Sequence, residues 1–519
     1  MRVLRFLGLV LLSCASASTP SFDGPDATPA VEGGPDTSIV DASRADAADS
    51  RAPSCTDGVR NGDESDVDCG GGTCPACGDG LGCGVTTDCK AGSCVAAKCG
   101  PHAWTVASTG SNVPIPPDNT WVDGAGLVLN PNLYTPSLVY LRWTGTLRFG
   151  GGGNGLCHVG QRFLIDGQPT GDPSWGNAIM VLRGASRWHE SFNVEIATVL
   201  SPGAHKISVQ MTNGVGMGLC YLDGDGGTPY DHSRLAASAH DTQHAWYAES
   251  TAETGAQPGP SPWVDIPGVS VPISITSPSH VQMSLSGSQL AQSASVSHCA
   301  YRLVVDKMPL GDPSHGQAIS VGDNFGGWWG PVAIRMGQDM TVGAHTISAQ
   351  MSNSSNAGGT CNAGAGNAQY ARFRLFANAG PQMGPAVSVE SAGGSYVLGS
   401  NSAWTAIGGM SAMFNLPISN HVQFEMAATE RTMSGSGHCA WRYVIDGMPI
   451  GDATHGLAIN VGDGALTWWT ATPLLWGQDL AAGSHTVSVE VRNSSLSGDC
   501  GTNADAAAYG RARLLVRAL

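Results

Sequence analysis

Apolar and polar residues alternate along many short segments of this chain. From His485 to Arg492, three valines occupy every second position, and polar side chains fill the positions between them. Because successive side chains of a strand point to opposite faces, this pattern predicts a strand with one buried face. Glycines and Asp-Gly pairs border such segments and predict tight turns. No convincing helical periodicity accompanies them.

The same residues return at a constant interval of 140 positions from residue 101 onward, as Asp166, Asp306 and Asp446 illustrate. The interval predicts three repeats. Their bounds are 101–243 for repeat 1, 244–381 for repeat 2 and 382–519 for repeat 3. Units of this size made of short strands favour two-sheet antiparallel sandwiches. The predicted fold class is therefore all-β, with three tandem jelly-roll-like β-sandwiches.

One stretch of each repeat is rich in side chains that could perform catalysis or bind a metal. It reads HCAYRLVVDKMPLGDPSHGQAI from His298 in repeat 2 and HCAWRYVIDGMPIGDATHGLAI from His438 in repeat 3. In repeat 1, Leu156 precedes the disulfide cysteine, where the other two repeats have His, and Trp175 takes the place of His315 and His455. A metal triad or a general base is not expected to be lost in one copy of three, unless that copy is inert. We therefore interpret the stretch as structural and predict that the protein is not an enzyme.

Three positions of this stretch and its neighbourhood carry specific expectations. The turn residue Asp306 and its counterparts are expected to cap their own backbone. Arg302 lies on the same strand face as Asp306, which favours a structural ion pair or a hydrogen-bonded fork between them. His345, at the entrance of a strand, is expected to be buried and hydrogen-bonded.

Aromatic residues provide the candidate ligand-binding side chains. Trp328–Trp329 and Trp468–Trp469 are adjacent pairs, so in a strand one member of each pair faces outward. The first position is Trp in all three repeats and is assigned to the cores. This leaves His189, Trp329 and Trp469 on the outer face. An exposed Trp can stack on a sugar ring or anchor a protein contact, whereas packing on a neighbouring repeat or loop is the alternative.

Charge excludes two classes of partner. The chain has 41 acidic against 25 basic residues and a net charge of −16. It contains no basic block, which argues against nucleic acid and against an anionic membrane surface.

The N-terminus has the layout of a secretory signal peptide, with two arginines, an apolar run and small residues over positions 1–17. Leu11-Leu12-Ser13-Cys14 resembles a bacterial lipobox, in which Cys14 is lipidated; Ala15-Ser16-Ala17 resembles an ordinary cleavage site. The lipobox is favoured because Cys14 directly follows the apolar run.

Residues 18–54 are rich in Ala, Asp, Pro and Ser and predict a disordered linker. The protein is therefore predicted to be exported. It would either face the cell surface, attached to the outer membrane by its lipid anchor alone, or be secreted into the medium.

Fourteen cysteines remain when Cys14 is set aside. Six of them form three pairs with spacings of 61 to 63 residues, which predicts one disulfide in each repeat: Cys157 with Cys220, Cys299 with Cys361, and Cys439 with Cys500. The other eight lie between residues 55 and 99, in a module bounded at 55–100 with few apolar side chains. Disulfides are expected to hold this module together, because zinc would require a second Cys-x-x-Cys pair.

Acidic residues crowd around a glycine turn within the module. Two interpretations are open, a solvated acidic turn and a structural calcium site with Asp63, Asp66 and Asp68 as ligands. No other cofactor is predicted.

Two resemblances follow from these residues. The run CTDGVRNGDESDVDCGG, followed by close-set cysteines, resembles the cysteine-rich module of many myxobacterial exported proteins and lipoproteins, which implies an envelope or secreted location. The pattern Leu/Met-x-x-Gly-x-His-Thr-Val/Ile near the end of the repeats resembles C1q/TNF-like and carbohydrate-binding-module sandwiches.

The sequence as a whole predicts a non-catalytic binding or adhesion protein that recognises surface glycans or envelope proteins. The first alternative is a structural envelope protein with its repeats packed as a pseudo-trimer. An extracellular hydrolase is the third interpretation.

Overall fold

A computed structural model provides the structure of the protein. It describes residues 54–90, 93–109, 112–151, 155–183, 189–223, 232–292, 297–322, 328–356, 358–365, 368–379, 386–392, 396–432, 437–462, 468–502 and 508–518. The predicted signal peptide and lipobox, including Cys14, and the predicted linker up to residue 53 lie outside these ranges. The chain from Pro53 to Leu519 forms one compact unit.

Disulfides form the centre of the cysteine-rich module. The regular elements are a short 3-10 helix at Thr86–Asp88 and the paired strands β1 (Cys94–Val95) and β2 (Lys98–Cys99). Six of its eight cysteines are buried against one another. The four bonds join Cys55 to Cys74, Cys69 to Cys77, Cys83 to Cys94, and Cys89 to Cys99. This agrees with the expectation that cross-links replace an apolar core in so short a segment.

Repeat 1 is a two-sheet sandwich. Its strands are β3 (Ala103–Ala107), β4 (Val113–Ile115), β5 (Val122–Leu129), β6 (Asn132–Leu133), β7 (Ser137–Gly151), β8 (Leu156–Ile165), β9 (Gln168–Pro169), β10 (Ala178–Arg183), β11 (His189–Leu200), β12 (Gly203–Ala204), β13 (Ile207–Asn213), β14 (Leu219–Leu222) and β15 (Arg234–His240). The outer sheet has the order β10-β8-β13-β5. The inner sheet contains β11-β7-β14-β4, with β15 on β7 and β3 on β15. The pairs that connect these strands are antiparallel.

Repeat 2 has the same two sheets. Its strands are β16 (Ala245–Glu249), β17 (Gln257–Pro258), β18 (Val264–Ile275), β19 (Ser279–Gln292), β20 (Ser297–Val305), β21 (Met308–Pro309), β22 (Ala318–Gly322), β23 (Trp328–Met340), β24 (Gly343–Asn353), β25 (Thr360–Ala363) and β26 (Arg374–Asn378). The inner sheet contains β16-β26-β19-β25-β17, with β23 on β19, and a 3-10 helix at Gln369–Ala371 precedes β26. The outer sheet contains β18-β24-β20, with β22 on β20.

Repeat 3 completes the set. Its strands are β27 (Ala386–Glu390), β28 (Tyr396–Leu398), β29 (Thr405–Leu416), β30 (Asn420–Thr432), β31 (Gly437–Ile445), β32 (Met448–Pro449), β33 (Ala458–Gly462), β34 (Trp468–Leu480), β35 (Gly483–Asn493), β36 (Cys500–Thr502) and β37 (Arg513–Ala518). A 3-10 helix at Ala508–Gly510 precedes β37. The all-β prediction is confirmed. Within the described ranges, no helix has the length and apolar character needed to cross a membrane.

Each sandwich has its own apolar core, closed by one disulfide. The three valines between His485 and Arg492 are fully buried, as their alternation predicts. The predicted bonds Cys157–Cys220, Cys299–Cys361 and Cys439–Cys500 are all present. Each bond joins a strand of the outer sheet to a strand of the inner sheet, so it fixes one sheet of the sandwich on the other.

The three inner sheets face one another. Three arginines at equivalent positions each donate a hydrogen bond to a backbone carbonyl of another repeat. We call them the arginine ring: Arg234 of repeat 1 bonds Leu457 of repeat 3, Arg374 of repeat 2 bonds Asn177 of repeat 1, and Arg513 of repeat 3 bonds Gln317 of repeat 2. The acceptors are also equivalent, so the contact passes once around and closes. The repeats therefore surround a pseudo-threefold axis.

A buried cluster of charges connects all three inner sheets; its members are Arg142 and Glu195 of repeat 1, Arg335 of repeat 2, and Glu425 and Arg517 of repeat 3. We call it the central ion cluster, and each side chain is at most 3% exposed. Glu425 accepts hydrogen bonds from Arg142 and from Nη1 of Arg517 (2.8 Å), and its second oxygen lies 3.1 Å from Nε of Arg335. Burial alone would raise the pKa of Glu425, but the three guanidinium groups lower it to about 2.

Candidate functional site

The first Asp of the repeated stretch lies in a tight turn and bonds the neighbouring strand. Asp306 has a φ of 50°, and its carboxylate accepts hydrogen bonds from the backbone N–H of Thr346 (2.8 Å) and from Nδ1 of His345 (2.6 Å). Nε2 of His345 lies 2.9 Å from the carbonyl oxygen of Thr341. The bond to Asp306 raises the pKa of His345, which is mostly buried. The same arrangement occurs in repeats 1 and 3, so the expected hydrogen-bonded His is confirmed. The expectation that these Asp residues cap their own backbone is wrong, because each carboxylate bonds a backbone N–H at the start of the neighbouring strand.

The second turn residue of the stretch caps its own turn. Oδ1 of Asp312 accepts hydrogen bonds from the backbone N–H groups of Ser314 and His315, both at 2.8 Å. Asp172 and Asp452 make the corresponding bonds in the other repeats. These carboxylates are thus occupied by the turn that they stabilise.

The expected partner of the strand arginine was wrong. Arg302 does not bond Asp306; its Nε and Nη2 donate to Oε1 of Gln350, at 2.8 and 2.6 Å. Gln350 lies directly across from Arg302 on the neighbouring strand β24. Because Asp306 is held at the end of its strand by His345, the cross-strand neighbour is the nearer acceptor.

Arg302 also covers an indole that the aromatic analysis did not select. Its guanidinium carbon lies 4.1 Å from the ring centroid of Trp263, a cation–π contact. The indole Nε1 of Trp263 donates to the carbonyl of Pro313 (2.8 Å), and Gln350 donates to Asp265 (2.8 Å). The indole is half-buried and lies directly before strand β18 of the outer sheet.

This arrangement is present three times, and we call each copy an Arg–Trp patch. The patches consist of Trp121, Arg162, Gln210 and Asp123 in repeat 1; Trp263, Arg302, Gln350 and Asp265 in repeat 2; and Trp404, Arg442 and Glu490 in repeat 3. The guanidinium carbons lie 3.8 to 4.2 Å from the ring centroids. The recurring Trp-x-Asp at residues 121 and 263 is the sequence signal that could have found two of them.

The structure does not place the predicted ligand-binding residue His189 on an outer face. His189 is only 3% exposed, and its backbone pairs with Val461 of repeat 3. Trp329 is half-buried, packs on the core of repeat 2 and lies edge-on to Tyr370, with ring centroids 5.6 Å apart. The side chain of Trp469 lies outside the described part of the structure. The face assigned to solvent belongs to the inner sheets, which the neighbouring repeats cover.

The three candidate calcium ligands point to different backbone groups. Asp63 accepts hydrogen bonds from Gly72 N–H (3.0 Å) and from the Thr73 hydroxyl (2.6 Å). Asp66 caps Val67 and Gly82, and Asp68 accepts from Gly58 N–H at 3.0 Å. Among the described residues, the two groups of three close metal-type ligand atoms both contain disulfide cysteines and include none of these aspartates. The structure therefore does not bring Asp63, Asp66 and Asp68 together.

A hydroxyl–His–carboxylate chain connects repeat 2 to repeat 3. Nδ1 of His280 lies 2.7 Å from Oδ1 of Asp339, and its Nε2 lies 2.9 Å from Oγ of Ser388. A Cβ added at Gly337 would lie 2.1 Å from this Nε2, so glycine is needed for the close approach. The carboxylate is 92% exposed, whereas the Asp of a serine-hydrolase triad is buried. We interpret the chain as a contact that holds two repeats together.

Buried carboxylates also lie where repeat 1 meets repeat 3. Glu430 is 2% exposed and accepts a hydrogen bond from the indole of Trp441 at 2.7 Å. Burial raises its pKa to about 7. Glu190 is equally buried and accepts from Thr470 of repeat 3. Both side chains are closed off from solvent, so they contribute to the interface.

No protein-family model matches the chain, and no curated protein matches it. Solved structures that align with it include a tandem CBM22 domain of Paenibacillus barcinonensis Xyn10C, with 8% identity over 54% of this chain and 99% of that chain and a TM-score of 0.16. A triple jelly-roll protein of an archaeal virus aligns with 9% identity over 80% and 89%, with a TM-score of 0.16. PNGF-II aligns with 8% identity over 70% and 99%, with a TM-score of 0.22. Similarities at this level carry no argument about function.

Proposed function

We propose that the protein is an exported, non-catalytic binding protein that recognises carbohydrate or another cell-envelope component through the outer sheets of its three joined repeats. The observation that carries this proposal is the Arg–Trp patch, a half-buried indole fixed in the same way on each repeat. An indole face can stack on a sugar ring. The neighbouring guanidinium and carboxylate or amide groups can bond its hydroxyls.

The fixed orientation of each indole favours binding. In repeat 2, the hydrogen bond to Pro313 and the contact with Arg302 hold the ring of Trp263 in place before a ligand arrives. Preorganisation reduces the entropy lost on binding. Three patches on one rigid unit gain further affinity for a repetitive surface through effective concentration.

Export is supported by the cysteines. Seven disulfides lie in the described part of the chain, and disulfides of this number persist in oxidising compartments. A lipid anchor at Cys14 would tether the repeats to the outer membrane. Intact mass of the mature protein tests this, because a diacylglyceryl group on Cys14 and an unmodified start at Ser18 are mutually exclusive.

The test of binding uses the full-length protein produced in an oxidising host and an array of envelope and plant polysaccharides. The triple variant W121A/W263A/W404A should lose binding by at least tenfold, or about 1.4 kcal/mol for each tenfold step. The control is M413A, which removes a side chain that is 80% exposed on the outer sheet of repeat 3 but lies outside the patches. Equal binding by the triple variant and the wild type would contradict the proposal.

A structural envelope protein is the second candidate function, and the central ion cluster favours it. Glu425 and its partners fix the three repeats against one another, as a building block of an envelope layer would need. A wild-type protein that binds no polysaccharide on the array but forms ordered assemblies on cells would favour this candidate.

A further inference from the structure

A groove opens where repeat 3 meets repeat 1, away from the Arg–Trp patches. Its volume is about 650 Å³, and it lies between strand β3 and the end of the paired strands β30 and β34. Its lining includes His102, Trp104 and Thr105 of repeat 1 and His421 and Asp479 of repeat 3. Such a volume accommodates a small ligand or the end of a chain.

One polar atom in the groove wall lacks a partner. His102 is 2% exposed, and its Nδ1 has no hydrogen-bond partner among the described residues. Its Nε2 makes only a long contact, 3.4 Å, with the carbonyl oxygen of Lys98. Burial lowers the pKa of His102 to about 4, so the ring is neutral at physiological pH. A buried imidazole nitrogen without a partner is costly. The atom is closed off from solvent, so the ring must turn toward the groove before a ligand hydroxyl can bond it.

The opposite wall is preorganised. Nδ1 of His421 lies 2.8 Å from Oδ1 of Asp479, and its Nε2 lies 3.1 Å from Oγ1 of Thr105. Asp479 is 89% exposed, so its carboxylate retains acceptor capacity for a ligand. Trp104 is half-buried between the core of repeat 1 and the groove.

The composition of the lining selects the ligand class. The lining residues include no Lys or Arg, and Asp479 is their one carboxylate. An anionic ligand would therefore meet an acidic group without a permanent countercharge. An indole beside neutral donors and acceptors fits a ligand that has an apolar ring face and hydroxyls at its edge.

The other two junctions between repeats lack this combination. Where repeat 2 meets repeat 3, Val387 occupies the place of Trp104, as strand pairing shows. Where repeat 1 meets repeat 2, Trp246 keeps the indole, but Leu138 and Val199 replace the His–Asp pair. The His–Asp pair recurs where repeat 2 meets repeat 3, as His280 and Asp339, but Val387 stands there in place of the indole. Duplication of the repeat explains the shared backbone and the recurring pair; among the described residues, the indole and the His–Asp pair occur together at the junction of repeats 3 and 1.

We propose that the groove between repeats 3 and 1 is a single binding site for a neutral saccharide unit, separate from the three Arg–Trp patches. Trp104 would stack on the sugar ring. His102 and Asp479 would bond its hydroxyls.

Isothermal titration calorimetry of the full-length protein with cello-, malto-, xylo- and N-acetylchitohexaose tests this, because stoichiometry separates the two kinds of site. In W121A/W263A/W404A, one site per chain should remain. Adding W104V, which installs the residue of the equivalent position in repeat 3, should weaken that site at least tenfold. The control W246V makes the same change at the junction without the His–Asp pair and should leave it unchanged.

A second variant protects the test against misfolding. D479A alters a side chain exposed to solvent and should weaken the same site about tenfold, roughly 1.4 kcal/mol, while leaving the near-ultraviolet circular dichroism unchanged. No one-site component for any of the four sugars, or a one-site component that both W104V and D479A retain in full, would overturn the proposal. A wild-type titration with the one-site component but no three-site component would contradict only the Arg–Trp patches.

Discussion

Nη1 of Arg374 in repeat 2 donates a 2.8 Å hydrogen bond to the backbone carbonyl of Asn177 in repeat 1. The same guanidinium bonds Glu249 within its own repeat through Nε at 2.9 Å. One buried side chain thus fixes both the sheet that carries it and the neighbouring repeat. Its counterparts Arg234 and Arg513 complete a closed cycle, which independent domains on a linker would not form.

The variant R374A should be strongly destabilised. It leaves the Asn177 carbonyl without this donor and removes a charge partner of the half-buried Glu249, at an expected cost of about 2 to 4 kcal/mol. R372A is the matched control, since Arg372 also bonds Glu249 (2.7 Å) but is 28% exposed. It should cost less than about 1 kcal/mol. Urea unfolding of both variants measures the difference, and equal losses would contradict the interpretation.

Removing one charge from the central ion cluster should destabilise the protein further. E425Q leaves Arg142, Arg335 and Arg517 with Glu195 as the remaining carboxylate, and a broken buried pair costs about 3 to 5 kcal/mol. E490Q serves as the control, because Glu490 pairs with Arg442 near the surface and is expected to contribute about 1 kcal/mol or less. Chemical unfolding measures both variants. A smaller loss of unfolding free energy for E425Q than for E490Q would refute the stabilising role of the central ion cluster.

Glu430 predicts a stability difference that depends on pH. Burial raises its folded-state pKa to about 7, above the unfolded value of 4.5. Between these values the unfolded chain releases the proton first, so this group lowers stability as pH rises from 4.5 to 7. E430Q can still accept the hydrogen bond from Trp441 and abolishes the titration. The free energy of unfolding of E430Q, relative to that of the wild type, should therefore rise by about 2 to 3 kcal/mol between pH 4 and pH 8. A difference that does not vary with pH would exclude the raised pKa.

The inter-sheet disulfides should each stabilise one sandwich. Cys439 and Cys500 close a loop with a sequence separation of 61 residues. Chain entropy then gives about 4 kcal/mol for the bond. C439S/C500S is expected to lower the unfolding midpoint by a corresponding amount while the protein remains folded at 20 °C. An unchanged midpoint, with the other disulfides confirmed by mass spectrometry, would argue against a role for this bond in stability.

The sequence predicts features that depend on local geometry. The valines from 487 to 491 alternate because one face of a strand is buried, and they lie in the core. Asp312 follows a glycine in a turn, and its carboxylate caps that turn. The disulfide pairs follow from one spacing that occurs three times.

The sequence does not predict the contacts between repeats, because the three repeats have different residue types at the positions that make these contacts. Cross-strand pairing places Arg142, Ser284 and Glu425 at one equivalent position of the three inner sheets. A search for residues that recur at the same position of all three repeats therefore overlooks the central ion cluster. For the same reason His189 was assigned to solvent: alternation identifies two faces of a strand but not what covers the second face. The Arg–Trp patches were missed because their members lie on different strands.

Small-angle X-ray scattering of residues 53–519 tests most directly whether the three repeats form one closed unit. A compact chain of this length has a radius of gyration of about 23 Å, and we expect that value with a single-peaked distance distribution. Three sandwiches joined as separate beads would give roughly 30 Å or more and a distribution with a second maximum. That result would contradict the closed arrangement that the arginine ring and the central ion cluster define.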